Sequence, residues 1–174
     1  MIEGERERLL RIIVPSVQAV LLRPGDNDME IFLGLRATKS HHLQWAPPGG
    51  KVDPGETDQL AAIREAREEA GVYLDSNRLI YFKDMPVSHI SGFMDGQSVL
   101  FQSAVRVFLV DARNLEPFNA SPREHVEMKW MRVSDALDMH ERILSSRPEM
   151  QDRHSIPGTL TQGTAKTVKW LLGK

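Results

Sequence analysis

GKVDPGETDQLAAIREAREEAGV, residues 50–72, is the stretch from which the rest of the chain can be placed. A turn leads into it. Pro47-Pro48-Gly49-Gly50 lacks two amide hydrogens and has two residues without side chains, so it is neither helix nor central strand. A helix is then predicted from Thr57 or Asp58, whose short side-chain oxygens suit an N-cap, to Gly71 as the C-terminal cap. Leu60, Ile63, Arg67 and Ala70 recur at helical spacing and predict its packed stripe. Glu65, Glu68 and Glu69 fall at i, i+3 and i+4 and share another face. Like charges so placed cost about 0.2–0.5 kcal/mol per pair in an isolated helix. Local pairing with Arg64 and Arg67 on a solvated face explains them without a ligand. A bound divalent cation explains them as ligands, since carboxylate oxygens suit a hard ion such as Mg2+ or Mn2+. The turn favours the second reading, because Gly49-Gly50 lets backbone approach an ion or a phosphate and offers a carbonyl to complete its coordination.

Gly50, five residues, Glu56, seven residues, Arg64-Glu65-Ala66, one residue, Glu68-Glu69, one residue, Gly71-Val72 is similar at every specified position to the Nudix box. The resemblance implies a Nudix hydrolase: an α/β fold, as an α/β/α sandwich around a mixed sheet, that cleaves a diphosphate in nucleoside diphosphates linked to another moiety with Mg2+ or Mn2+. It implies metal-binding roles for Glu65, Glu68 and Glu69, with a carbonyl of Gly49 or Gly50. Arg64 resembles the arginine that orients a glutamate, and Glu56 the structural glutamate tying loop to helix. Family members often supply one more carboxylate from beyond the box, as ligand or base. Glu124 sits where several nucleotide-cleaving members place theirs, and Glu127 is expected to point outward. Glu65 competes with Glu124 as the base.

Around the box the chain reads as one domain, residues 1–174. Ile12 to Leu22 and Glu30 to Arg36 are rich in β-branched and apolar residues, and the Pro24–Asp28 turn between them predicts a hairpin. Arg36 to Trp45 is a basic loop entering the box. Arg36, Lys39, His41 and His42 are candidates for substrate phosphate, against a plain solvated loop. Trp45 would stack on a base or pack under the prolines. Past the box, Leu79 starts a strand, Asp84 to Gly96 reads as a loop, and Ser98 to Val110 is the best central strand. Val126 to Val133 alternates as a strand, Ser134 is a plausible cap for the helix after it, and Thr159 to Leu172 is a helix packed by Ala165, Val168, Leu171 and Leu172.

Composition bounds the rest. The 174 residues are 41% hydrophobic, enough for one core, and the net charge of −2 gives no global pull towards nucleic acid or anionic membrane. The chain has no cysteine, which excludes disulfides and thiolate chemistry and is compatible with a cytoplasmic protein. No apolar run approaches the ~20 residues of a spanning helix. The resemblance leaves the substrate open among small nucleotides: a nucleoside triphosphate first, then ADP-ribose, with Pro86 as a hint, or a nucleotide sugar. It adds that family members often form homodimers. A non-catalytic nucleotide-sensing module is the reading of a different class; such modules commonly lose box glutamates, and here all are present.

Overall fold

The computed structural model describes residues 10–38, 41–94, 97–150 and 156–174. Its frame is a seven-stranded mixed sheet. Strand β1 (Leu10–Pro24) runs parallel to β6 (Gln97–Asp111) from Leu10–Val99 to Leu22–Asp111. β5 (Leu79–Met94) pairs antiparallel with the far side of β6. On its other side β1 meets two strands in turn: Ser16–Gln18 pairs with β4 (Gly49–Lys51), and Leu22–Pro24 with β2 (Met29–Arg36). β3 (Trp45–Ala46) and β7 (His125–Arg132) flank β2. The expected hairpin and the central position of the Ser98–Val110 strand are both as read from the sequence.

Helix α1 (Asp58–Ala70) covers one face. Its alanines 61, 62, 66 and 70 pack with Val17, Ala19, Leu21, Phe32 and Phe108. Helices α2 (Val133–Ser146) and α3 (Gln162–Leu171) cover the other face, over Val20, Leu22, Ile31, Leu33, Val105 and Val107. The layers are therefore α/β/α. Among the described residues no helix is long and apolar enough to cross a membrane.

Three local expectations are corrected. Ala70 and Ile63 of the expected α1 stripe pack on the core, but Leu60 and Arg67 are exposed, and the remaining alanines with Glu65 and Glu69 complete the buried face. Small side chains bring the helix close to the sheet, and that closeness buries the carboxylates. Residues 84–94, expected as a loop, continue the antiparallel pairing of β5 with β6 to Met94–Gln97, with one register shift between Val87 and His89. The long β6 supplies the backbone partners that a polar, glycine-containing stretch does not announce. Ser134 does not cap α2; that helix starts at Val133, and Asp28 from the β1–β2 turn accepts from the Ser134 amide at 2.9 Å.

A candidate active site at the glycine turn and helix α1

The site forms where β4 meets α1. Thr57 caps the helix by accepting from the Leu60 amide, and Gly71 ends it in the left-handed conformation at φ 66°, both as expected. Between these caps the helix presents Glu65 and Glu69 one turn apart, towards the glycine turn. The Gly49 amide donates to Glu69 Oε2 at 3.1 Å. A Cβ on Gly50 would collide with Glu65 Oε1, so only glycine lets the strand lie against that carboxylate.

Arg64 ties the loop to the helix. Its Nε and Nη2 each donate to a Glu56 oxygen at 3.0 Å, a bidentate pair. Nη1 reaches Glu65 Oε1 at 2.7 Å and Glu68 Oε2 at 3.3 Å, and Nη2 also donates to the Lys51 carbonyl at 2.9 Å. Arg64 in turn holds the Glu56 carboxyl below its usual range. Glu68 is half exposed on the rim.

The two buried carboxylates behave oppositely to Glu56. Burial pushes Glu69 up to about 8, with Glu65 and Glu124 adding to the rise and Arg36 opposing it. Burial also raises Glu65, against the pull of Arg64. A carboxyl whose ionisation burial disfavours this far marks a candidate functional site, since a nearby cation would restore its charged form. Glu124 belongs to the cluster: it lies just before β7, its carbonyl accepts from the Ala37 amide at 2.7 Å, and its side chain acts on both Glu65 and Glu69. Glu127 points to the rim and pairs with Lys129 at 2.9 Å. Among the described residues no three acidic or histidine side chains converge tightly enough to hold an ion as they stand, Glu65 Oε1 being engaged by Arg64.

On the α3 face the same turn borders a cavity of about 270 Å³. Its lining includes Ser16, Gln18, Arg36, His41, Ser103 and Thr161. Arg36 Nε and Gln18 Oε1 are buried without a hydrogen-bond partner. His41, at φ 59°, holds its loop by accepting from the Gln44 amide. Hydrogen bonds from Gly158 to Leu43, Trp45 to Thr159 and Thr161 to Trp45 stitch the chain before α3 to this loop, so α3 walls the cavity. Lys39 lies outside the described residues. Trp45 is 5% exposed, with Lys129 Nζ 4.6 Å from its ring centre, so it packs in the core and offers no face to a base. Pro86 stands within β5 opposite Ala104.

Sequence reasoning missed His125. Its ring is fully buried, with Nε2 3.8 Å from Glu69 Oε2, and burial with Arg36 nearby lowers it to about 4. No local pattern marked it.

Known proteins resemble this chain in sequence and in fold. Residues 13–152 match the family model of the NUDIX domain. The asymmetrical bis(5'-nucleosyl)-tetraphosphatase of Caenorhabditis elegans is 30% identical over 72% of this chain and 84% of its own. Its counterpart in Mus musculus is 28% identical over 77% and 85%. The Nudix hydrolase RenU of M. smegmatis superposes with a TM-score of 0.56 at 21% identity, over 92% of this chain and 84% of its own, which bears on the fold. The chain belongs to the NUDIX family and is a hydrolase acting on phosphorus-containing acid anhydrides.

Proposed function

We propose that this protein hydrolyses nucleoside 5'-polyphosphates with Mg2+ or Mn2+, and that a bis(5'-nucleosyl) tetraphosphate is its first substrate. One observation carries the site: Glu65 and Glu69, buried and pushed up, abut a glycine turn that excludes any side chain. The donor set is all oxygen, which fits a hard divalent ion. Glu65, Glu68, Glu69 and Glu124 would hold it, with a carbonyl of Gly49 or Gly50. Such an ion screens the anionic oxygens of the substrate and makes a bound water more acidic. Arg64 keeps Glu56 and Glu65 in place, and Arg36 meets a phosphate from the cavity side. Glu124 or Glu65 takes the proton as water attacks phosphorus and the anhydride P–O bond breaks. From a bis-nucleosyl tetraphosphate, one water then gives a nucleoside triphosphate and a nucleoside monophosphate.

The choice of substrate rests on the relatives named above. The cavity supports one nucleoside per site, since about 270 Å³ lies just under the usual range for drug-sized ligands. A nucleoside triphosphate is the second reading, because it fills the same space with a free phosphate end. Turnover of diadenosine tetraphosphate, nucleoside triphosphates and ADP-ribose, each with and without Mg2+, tests the proposal. Mg2+-dependent release of ATP and AMP from diadenosine tetraphosphate is expected to exceed every other rate. Faster release of pyrophosphate from triphosphates selects the second reading.

A further inference from the structure

β7 enters the sheet with a defect. Its residues pair with β2 in regular antiparallel register from Glu30–Arg132 to Leu35–Glu127, and then the register slips so that Arg36 pairs with His125. Val126 is the extra residue, and it is 60% exposed. Met128 and Trp130 pack on the α1 side of the sheet. In an unbroken strand Val126 would share their side and His125 would face the other. The bulge reverses this and turns the imidazole towards α1, as bulges beside active sites re-aim a side chain. Gly34 on β2 makes the room: a Cβ there would collide with Cδ2 of the ring. The backbone of His125 is held on both sides, by its own amide to the Ser121 carbonyl at 3.1 Å and by Asn119 Nδ2 to its carbonyl at 3.0 Å.

A bulge, a glycine and two hydrogen bonds thus deliver one imidazole to a fully buried place where neither ring nitrogen has a hydrogen-bond partner. Burying such a group unpaired carries a desolvation penalty, so the arrangement calls for a purpose. Glu69 Oε2, the same oxygen that accepts from the Gly49 amide, lies 3.8 Å from Nε2. We propose that His125 is a positioning residue for Glu69: its Nε2–H acts on Oε2, which the Gly49 amide also holds, and together they fix the rotation of the carboxylate that would receive the metal ion. This rests on the metal-site reading above. At 3.8 Å the contact is longer than a hydrogen bond, and forming one requires a side chain to turn. Histidine suits the task because a neutral ring donates one hydrogen bond without adding a charge that would repel the cation.

The test measures Mn2+ binding to the full-length, substrate-free protein by electron paramagnetic resonance of the free ion, alongside kcat and KM. His125→Phe keeps a buried ring and removes both nitrogens. It is expected to weaken Mn2+ binding about 10–100-fold, the range seen when a partner behind a metal ligand is removed. kcat should fall with KM little changed, and His125→Gln, which retains a donor, should recover part of both losses. Gly34→Ala, which displaces the ring without touching it chemically, should weaken Mn2+ binding in the same direction, and it serves where His125→Phe fails to fold. A folded His125→Phe or Gly34→Ala with wild-type affinity and kcat overturns the assignment. If the wild-type protein binds no Mn2+, the metal-site reading falls and takes this one with it; equal binding by wild type and variant sinks this one alone.

Discussion

Two charged clusters of this protein invite the same description and have opposite physics. Around Asp111, at the end of β6, the Arg113 guanidinium grips the carboxyl, with Nε 2.9 and 3.0 Å from its two oxygens, and Arg78 donates to the Asp111 carbonyl at 3.1 Å. This cluster lines a cavity of about 550 Å³, larger than the one beside the glycine turn. Its charges are exposed and matched, and Arg113 holds Asp111 down at about 2. Around Glu69 the cavity is smaller, yet burial drives a carboxyl up to about 8. The contrast teaches that neither charge density nor cavity size marks chemistry. A matched surface pair is at rest, whereas a carboxyl whose charged form burial disfavours is a candidate for chemistry.

The largest effect is expected at that carboxyl. Glu69→Gln preserves shape and removes the buried charge, so the protein should stay folded in a thermal melt. Its kcat should fall by about 10²–10³-fold, the scale on which loss of one preorganised electrostatic contact acts. Near-normal turnover by folded Glu69→Gln would break the comparison at its centre. Next comes Arg64→Ala. It releases both Glu56 oxygens, Glu65, Glu68 and the Lys51 carbonyl at once. Hydrogen bonds to charged groups contribute about 1.5–3 kcal/mol, so the midpoint of unfolding should drop by several degrees and kcat with it. Arg64→Lys should recover little, because an ammonium cannot grip Glu56 with two parallel bonds.

These expectations also show which parts of the molecule were legible in the sequence. Glu65, Glu68, Glu69 and Arg64 lie within six residues of one helix, and the turn that faces them is next to it in the chain, so spacing alone puts them together. Strand β1, the central β6 and both caps of α1 were legible for the same local reason. What escaped was set by distant partners. His125 faces Glu69 only because a bulge against β2 turns it there, and no periodicity in β7 encodes which side a bulge selects. The extension of β5 depends on β6 for its hydrogen bonds, and the cap of α2 comes from Asp28, far back in the chain. Trp45, offered equally as a stacking platform, is claimed by the core and Lys129.

A smaller effect sharpens the division of labour across the glycine turn. Ser103 lies on β6 and lines the cavity on the α3 face, away from the carboxylates. Ser103→Phe should crowd the nucleoside and leave the phosphate chemistry alone. KM for diadenosine tetraphosphate is expected to rise about 10-fold or more, the discrimination a misfit of this size produces, with kcat at saturation little changed. An equal loss in kcat would mean that the cavity and the carboxylates are not separate parts.

The smallest effect belongs to the cluster at rest. Arg113→Ala should leave kcat, KM and Mn2+ binding at wild-type values, although it strips a close ion pair from the larger cavity. Its trace should appear only in stability, and the sign follows from Asp111. With Arg113 present the folded carboxyl titrates near 2, below the ordinary 3.8, so the folded state binds fewer protons than the unfolded chain between those values. The pair therefore stabilises the fold above about pH 4, and that contribution disappears as the pH falls through about 2. Melting curves of Arg113→Ala and wild type should differ slightly at pH 6 and converge as the pH is lowered towards and below 2. Because both groups are exposed, the pH 6 difference should also shrink in 1 M salt, where charges are screened within about 3 Å. A loss of turnover in Arg113→Ala would show that the larger cavity takes part in the reaction and that matched charge is no guide to idleness.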